Sequence, residues 1–172
     1  MLKVAVIMGS DSDLPVMKDA AAALESLGVG HETRFLSAHR THEETREYVA
    51  SAAAKGVGVI IAGAGGAAHL PGVIAAMTTM PVIGVPIKAW SLEGLDSLLS
   101  IAQMPPGVPV ATVGINSAKN AGILAAQILA VGDAALAGRL AAARSKMRDE
   151  IMARNERLGK EGWAAYLEKK GK

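Results

Sequence analysis

Three short segments of this chain carry residue types that could bind an anionic small molecule and move protons. They are Gly9–Asp13 (Gly-Ser-Asp-Ser-Asp), Ser37–Arg40 (Ser-Ala-His-Arg) and Gly63–Gly72 (Gly-Ala-Gly-Gly-Ala-Ala-His-Leu-Pro-Gly). Arginine binds phosphate through paired hydrogen bonds, and histidine is the side chain whose charge ordinarily changes near neutral pH. The segments therefore predict a phosphate-containing ligand and acid–base chemistry, provided that the fold brings them together.

The first segment follows an apolar run and precedes a predicted helix. Backbone N–H groups at a helix N-terminus favour an anion, so Gly9 and the hydroxyls of Ser10 and Ser12 suit a phosphate group. Capping of the helix by Ser12 or Asp13 is an equally open interpretation of the same residues. Asp11 and Asp13 could also hold a divalent ion, but no further acidic cluster supports such a site. We therefore expect no metal ion.

The second segment places a histidine beside an arginine, directly after a predicted strand. His39 could transfer protons, and Arg40 could bind phosphate. For Arg40 the alternative is a surface ion pair with Glu43 or Glu44, and for His39 it is a packed or capping histidine. Functional side chains often lie in loops that a rigid strand positions, which makes the chemical interpretation of His39 as good as its alternative.

The third segment is a loop of glycine and alanine in which His69 is the only polar side chain. Few side chains stand in the way, so the backbone can approach a small ligand closely. The segment differs from the dinucleotide-binding fingerprint, because it follows the third predicted strand, lacks the third glycine and has no acid about twenty residues further on. We therefore exclude a dinucleotide and keep His69 as a secondary candidate that shapes the pocket.

Short β-branched runs alternate along the chain with longer stretches rich in alanine and leucine. The predicted strands are 3–8, 32–36, 57–62, 82–85 and 108–113, and the predicted helices are 15–27, 41–54, 71–79, 91–102, 117–130 and 133–156. Thr41 and Glu44 have the spacing of a capping box at the start of the second helix. This alternation predicts a parallel sheet covered by helices on both faces. The three segments then share the carboxyl edge of the sheet, where ligands bind in such folds.

The composition limits the class of protein. With 172 residues, of which 51% are hydrophobic, the chain suits one compact domain. The absence of cysteine excludes a disulfide framework and thiolate chemistry, and fits a reducing cytoplasm. A net charge of +2 and an aromatic content of 3% argue against a nucleic-acid surface. No apolar stretch reaches the roughly eighteen residues of a membrane helix, and the first residues show no export signal.

Four motifs, in this order along residues 3–155, carry a resemblance to a known family. They are the three segments above and Asp96–Pro105 (Asp-Ser-Leu-Leu-Ser-Ile-Ala-Gln-Met-Pro). The chain resembles the class I PurE proteins, which are N5-carboxyaminoimidazole ribonucleotide mutases. The resemblance implies a three-layer α/β/α flavodoxin-like domain with a five-stranded parallel sheet, assembled as a homo-octamer. The implied reaction of purine (IMP) biosynthesis moves a carboxylate from the exocyclic nitrogen N5 to ring carbon 4, without a cofactor.

The resemblance also implies a role for each matching position. His39 matches the histidine that transfers protons, and Asp13 matches the aspartate that binds the ribose. Ser10 and Arg40 match the substrate-binding serine and arginine. The further matched positions hold the phosphate or pack against the base and the migrating carboxylate, namely Gly9, Ser12, Ser37, Ala38, Gly63, Ala64, Gly65, Gly66, Ala67, His69 and Leu70.

Two alternatives to the mutase follow from the same residues. A sister class carboxylates aminoimidazole ribonucleotide directly with carbon dioxide, and it typically has lysine where Arg40 stands. A non-catalytic nucleotide-binding module of the same fold is the second alternative, and it would gain little from a titrating group at His39. The resemblance implies a nucleotide substrate, and hence a functional link to the ATP-dependent synthetase that makes the carbamate.

The C-terminal segment is predicted to lie outside the catalytic domain. We assign residues 1–156 to a single flavodoxin-like domain and residues 157–172 to a basic tail. Trp163, Tyr166 and Leu167 have the i, i+3, i+4 spacing of one helix face. They predict a helix that docks on a neighbouring subunit, and the alternative is a loosely held tail.

Overall fold

A single sheet of five parallel strands forms the centre of the computed structural model, which describes residues 2–170. The strands are β1 (Lys3–Met8), β2 (His31–Phe35), β3 (Val57–Gly65), β4 (Val82–Ile87) and β5 (Ala111–Thr112). Their order across the sheet is β2-β1-β3-β4-β5, and all four pairings are parallel. The predicted five-stranded parallel sheet is therefore confirmed.

Helices connect the strands and cover both faces of the sheet. They are α1 (Leu14–Ser26), α2 (His42–Ala52), α3 (Leu70–Ala75), α4 (Leu95–Ala102), α5 (Ala118–Ala130), α6 (Ala134–Glu161) and α7 (Trp163–Lys170). Alternate residues of β1 point to opposite faces, as the pleat of a strand requires. Val4 and Val6 pack in one core with side chains of α1 and α5, and Ala5 and Ile7 pack in another with side chains of α2 and α3.

The strand order places a switch point between β1 and β3. From β1 the chain passes outward to the edge strand β2, and it then returns to pair β3 on the other side of β1. Met8 at the end of β1 pairs with Gly63 of β3 and with Phe35 at the end of β2. The loops that follow these three strands therefore leave the sheet at one edge, in the crevice where doubly wound sheets bind ligands.

Several boundaries differ from the sequence prediction, each for a local reason. β3 continues to Gly65 because it stays paired with β4 up to Ile87, so the first three residues of the predicted glycine loop belong to the strand. β5 is only two residues long, since the prolines at 105, 106 and 109 lack the N–H that a strand ladder needs. α3 ends at Ala75, and Thr78 Oγ1 accepts the N–H of Met80 at 3.1 Å as the chain turns into β4.

The predicted helix caps at the site loops are wrong. Thr41 Oγ1 turns back to accept the N–H of Ser37 at 2.7 Å, so it makes no capping bond to α2, which begins at His42. Asp13 occupies the N-cap position of α1 without a side-chain bond to that helix. Ser10 instead accepts the N–H of Ser12 and caps a 3₁₀ turn at Asp11–Asp13, which leads into α1. Tertiary contacts of the loops therefore replace the local caps.

The C-terminal region is one long helix followed by a short one. α6 runs without a break from Ala134 to Glu161, so the predicted boundary at residue 156 lies inside it. α7 folds back onto its end, where Arg157 donates to Glu161 at 3.0 Å and lies over the ring of Tyr166. Residues 171 and 172 of the predicted tail, and residue 1 of the predicted domain, lie outside the described residues. No helix within residues 2–170 is long and apolar enough to cross a membrane.

Candidate active site

Two hydrogen bonds join the three loops at the carboxyl edge of the sheet. The Arg40 Nη2 group donates to the backbone carbonyl of Gly9 at 2.7 Å and links the loop after β2 to the loop after β1. His39 Nε2 lies 2.9 Å from His69 Nδ1 and links the loop after β2 to the loop after β3. The predicted convergence of the three segments is therefore confirmed, and the loop that carries His39 and Arg40 lies at its centre.

The loop after β1 presents two hydroxyls and two carboxyl groups. Ser10 Oγ donates to Asp11 Oδ1 at 2.9 Å and accepts from Ser12 Oγ at 3.1 Å. Burial raises the pKa of Asp13, although the backbone N–H groups of Ser10 and Gly9 and the charge of Arg40 oppose that rise. The Asp13 carboxyl group thus faces the same loop that Arg40 contacts, and it can accept hydrogen bonds from a ligand there.

The loop after β2 is rigid at its base and exposed at its functional residues. Ser37 is 8% exposed, and its Oγ accepts the N–H groups of His39 at 3.4 Å and Arg40 at 3.2 Å. Thr45 Oγ1, fully buried in α2, lies 3.3 Å from the Ser37 carbonyl oxygen. The Thr41 hydroxyl accepts the N–H of Ser37 at 2.7 Å and donates to the Ser37 carbonyl at 3.3 Å. These bonds fix the loop backbone, from which the side chains of His39 and Arg40 extend to the surface.

Thr41 and Thr45 are positioning residues that the sequence analysis did not identify. Thr45 is buried on the same face of α2 as Tyr48, Val49 and Ala52, and Thr41 is the half-buried residue directly before that helix. A polar residue at a position that the helical period assigns to the core was the available signal. Within residues 2–170 Arg40 forms no ion pair with Glu43 or Glu44, so that alternative interpretation is wrong: Arg40 Nη2 donates to the Gly9 carbonyl, and Glu43 pairs with Arg46 at 2.9 Å.

The glycines of the third segment are explained first by packing. A Cβ on Gly63 would lie 2.3 Å from Met17 Sδ, and one on Gly72 would lie 3.0 Å from Met104 Sδ. Gly66 has a φ of +64°, which L-residues rarely adopt. These glycines therefore serve the packing of the protein as well as the predicted close approach of a ligand. At Gly63 the missing side chain makes room for the core.

The structure divides the remaining predicted residues into two groups. Ser10, Ser12, Ala67 and the two histidines are exposed or half-buried at the loop surface. Others have side chains buried in the core against α2 and α3, and can offer a ligand only backbone groups, namely Ala38, Ala64 and Leu70. The fourth motif supports this arrangement from α4, where Ser97 Oγ donates to the Ile87 carbonyl at 2.9 Å.

The rings of the two site histidines are in direct contact. Their rings meet edge to face, with centroids 5.0 Å apart and planes at 87°. One of the two facing nitrogens must carry the hydrogen and the other must accept it, so the tautomer of one ring fixes that of its partner. Both side chains are exposed at the crevice. The pair can therefore exchange a proton with a bound ligand and pass it between the rings.

Comparison with known proteins places the chain in a family. A family model described as AIR carboxylase matches residues 3–150, a range that includes all four motifs. The chain belongs to this family. Members of the AIR carboxylase family with high similarity include the N5-carboxyaminoimidazole ribonucleotide mutase of Thermotoga maritima, 54% identical over 170 residues that cover 99% of both chains. The mutase of the same name from Pyrococcus abyssi is 56% identical over 168 residues, which cover 98% of this chain and 97% of the relative.

The fold agrees with a solved structure of a similar protein. The crystal structure of PurE from Treponema denticola superposes with a TM-score of 0.85 at 27% identity, and the match covers 92% of this chain and 99% of that chain. The predicted family resemblance and the flavodoxin-like architecture are thus confirmed by independent comparisons of sequence and structure.

Proposed function

We propose that this chain is an N5-carboxyaminoimidazole ribonucleotide mutase of purine biosynthesis, an isomerase that moves the carboxylate from N5 to C4. The observation that carries the proposal is the junction of three loops, in which His39 meets His69 at 2.9 Å and Arg40 meets Gly9 at 2.7 Å. Relatives with this name share 54% and 56% identity with nearly the whole chain, which supports the same reaction.

The loops after β1 and β2 bind the ribose phosphate in this proposal. One N–H of Arg40 is held by the Gly9 carbonyl, and the guanidinium has further donors for phosphate oxygens. The hydroxyls of Ser10 and Ser12, at the 3₁₀ turn before α1, add neutral donors. Asp13 accepts the ribose hydroxyls. Holding the ribose phosphate at one end of the crevice places the imidazole over the loop after β3.

The loop after β3 holds the reacting carboxylate. Its alanines are too small to block approach, and backbone N–H groups at the Gly66 turn can donate to a carboxylate. A migrating carbon dioxide must stay beside carbon 4 until it is recaptured, so close walls and few water molecules are required. Ala64, Gly66 and Ala68 are buried at this wall, which supports that role.

The reaction needs one proton donor and one proton acceptor, and one imidazole can serve as both. As the N5–carboxylate bond breaks, its electron pair stays on nitrogen, which takes a proton from His39, and carbon dioxide is released. The electron-rich carbon 4 then attacks carbon dioxide and forms the new bond. Neutral His39 removes the proton from carbon 4, which restores the aromatic ring. Protons and electrons balance, so the aminoimidazole itself supplies the electron pair and no electron-accepting cofactor is required.

The oligomeric state and the cellular location of the enzyme are part of the same proposal. We propose a homo-octamer in the cytoplasm that receives its carbamate from the ATP-dependent synthetase. Trp163 is 73% exposed and Leu167 is 59% exposed on α7, which supports docking of this helix on a neighbouring subunit. An isolated chain leaves these apolar side chains in water, whereas a subunit interface would bury them.

Replacement of His39 tests the reaction directly. His39→Asn should fold and bind the nucleotide, yet lose about 10²- to 10⁴-fold in kcat, the usual contribution of a general acid–base group. Circular dichroism and nucleotide binding report on the fold and the site, and product formation reports on the chemistry. Turnover within a few fold of the wild type would remove His39 from the mechanism.

The choice of substrate separates the mutase from its alternatives. Purified enzyme is offered either N5-carboxyaminoimidazole ribonucleotide or aminoimidazole ribonucleotide with bicarbonate, and the rates of product formation are compared. The mutase assignment requires faster reaction with the first. A preference for the second would identify a direct carboxylase, and nucleotide binding without either reaction would identify a binding module.

A further inference from the structure

Trp90 is the most exposed aromatic side chain at the carboxyl edge of the sheet, with 88% of its surface accessible. It lies at the tip of the loop 88–94, which connects β4 to α4. β4 pairs with β3, so this loop leaves the sheet beside the turn at Gly66 that follows β3, called here the glycine turn. A large apolar ring in water is unfavourable unless something covers it, which makes the position a candidate for ligand contact.

The base of this loop is held firmly. Lys88 donates its backbone N–H to Asn116 Oδ1 at 2.9 Å, and its side chain forms an ion pair with Glu93. A Cβ on Gly94 would lie only 3.2 Å from Lys88 Cα, so the two ends of the loop are closely packed. Leu92 and Glu93 both have positive φ, at 46° and 54°. Such conformations persist where the surroundings fix them, and they are frequent at ligand clamps.

The Trp90 ring lies against the glycine turn of the candidate site. A Cβ on Gly66 would be 3.6 Å from Trp90 Cζ2, and a Cβ on Gly65 would be 3.0 Å from the Ala89 Cβ. Gly66 precedes Ala67, Ala68 and His69, so the ring stands next to the wall that faces the imidazole in the proposed function. A loop anchored by these contacts thus holds a largely exposed indole ring at the edge of this wall.

We infer that Trp90 is a substrate-binding residue of this enzyme, whose indole stacks on the imidazole ring of the nucleotide and closes that side of the crevice. The inference rests on the proposed function, because that function supplies the planar, electron-rich ligand. Aromatic stacking on a base is strong and leaves the edges of the base free for proton transfer. An indole over the glycine turn also excludes water from the released carbon dioxide.

Kinetics of Trp90 variants test the inference. Trp90→Ala should raise the KM for N5-carboxyaminoimidazole ribonucleotide about tenfold or more, the scale of a lost base stack, with a smaller change in kcat. Trp90→Phe should restore most of the affinity, whereas Trp90→Leu should not. Leu99→Ala, which alters another exposed apolar side chain of the same region on α4, is the matched control and should leave KM unchanged.

Fluorescence gives an independent measurement. In a Trp163→Phe background Trp90 is the remaining tryptophan, since the chain has two. The reaction product, carboxyaminoimidazole ribonucleotide, should change its emission saturably at the concentration that half-saturates binding. A KM within twofold of the wild type in Trp90→Ala, together with unchanged emission, would overturn the inference while the wild-type turnover still upheld the mutase. Equal effects of Trp90→Ala and Leu99→Ala, with a smaller oligomer, would also overturn it and assign the residue to a subunit interface.

Discussion

Replacement of His69 by phenylalanine separates the two histidines of the site. A phenyl ring keeps the edge-to-face contact with His39, in which the ring centroids lie 5.0 Å apart. It removes Nδ1, the atom that lies 2.9 Å from His39 Nε2. His69→Phe therefore deletes one hydrogen bond and leaves the packing of the pair nearly unchanged. His69→Asn is the matched control, because its amide places a polar atom close to the position of Nδ1.

The expected loss follows from the strength of one hydrogen bond. If His69 acts by orienting His39, its removal costs the net value of that bond, about 0.5–1.5 kcal/mol. Each 1.36 kcal/mol is a factor of ten in rate, so kcat should fall about 2- to 13-fold. His39→Asn should cost far more, about 10²- to 10⁴-fold. His69→Asn should recover most of the lost rate.

The double variant decides how His69 acts. Steady-state kcat and kcat/KM are measured for His39→Asn, His69→Phe and the combination, with N5-carboxyaminoimidazole ribonucleotide as substrate. If His69 works only through His39, the double variant is no slower than His39→Asn, and the two effects are fully coupled. A loss of kcat in the double variant equal to the product of the two single losses would refute this reasoning, because it would mean that His69 contacts the reacting atoms independently.

Three further predictions concern stability, pH and assembly. Gly84→Ala would place a Cβ 2.3 Å from Cγ2 of the stiff, fully buried Ile101, and it should lower the free energy of unfolding by about 3 kcal/mol. Gly138→Ala, in open space on α6, should raise the free energy of unfolding by about 0.5–1 kcal/mol. Equal denaturation midpoints for the two variants would contradict both expectations. The native state binds the Asp13 proton more tightly than the unfolded chain does, so ionisation of this group opposes folding as the pH rises above 3.8. Asp13→Asn should thus be more stable than the wild type in thermal unfolding at pH 7, with the gain shrinking as the pH falls from the raised pKa towards 3.8 and absent below it, and a gain that grows in acid would refute the assignment. Truncation after Glu156 removes the last turn of α6 together with α7 and should reduce the oligomer size in light scattering, while an unchanged size would identify a loosely held tail.

The sequence predicted the parts of the fold that depend on local pattern. β1 is a run of apolar and β-branched residues from Val4 to Met8, and this run is buried on both faces in the structure, as a central parallel strand requires. The alternation of such runs with helices was enough to place the three polar segments at one edge. Their convergence followed from topology alone.

The details that the sequence could not predict depend on contacts between distant segments. His39 and His69 are thirty residues apart, and no local pattern indicates that their rings meet. Thr41 has the spacing of a capping residue, but its hydroxyl binds Ser37 because the loop turns back on itself there. β2 was expected to be covered like the other strands, yet Phe35 is 53% exposed because β2 is an edge strand.

The glycine loop links the packing of the core to the geometry of the site. Gly63 leaves the room that Met17 fills, and Gly72 leaves the room that Met104 fills. Met17 belongs to α1, which follows the serine-rich turn, and Met104 follows α4, so these two contacts connect the loop to both faces of the sheet. A side chain at either glycine would displace the segment that carries His69 relative to His39. The glycines therefore position the histidine pair by allowing close packing behind it, and the small side chains in front of it leave the crevice open for the ligand.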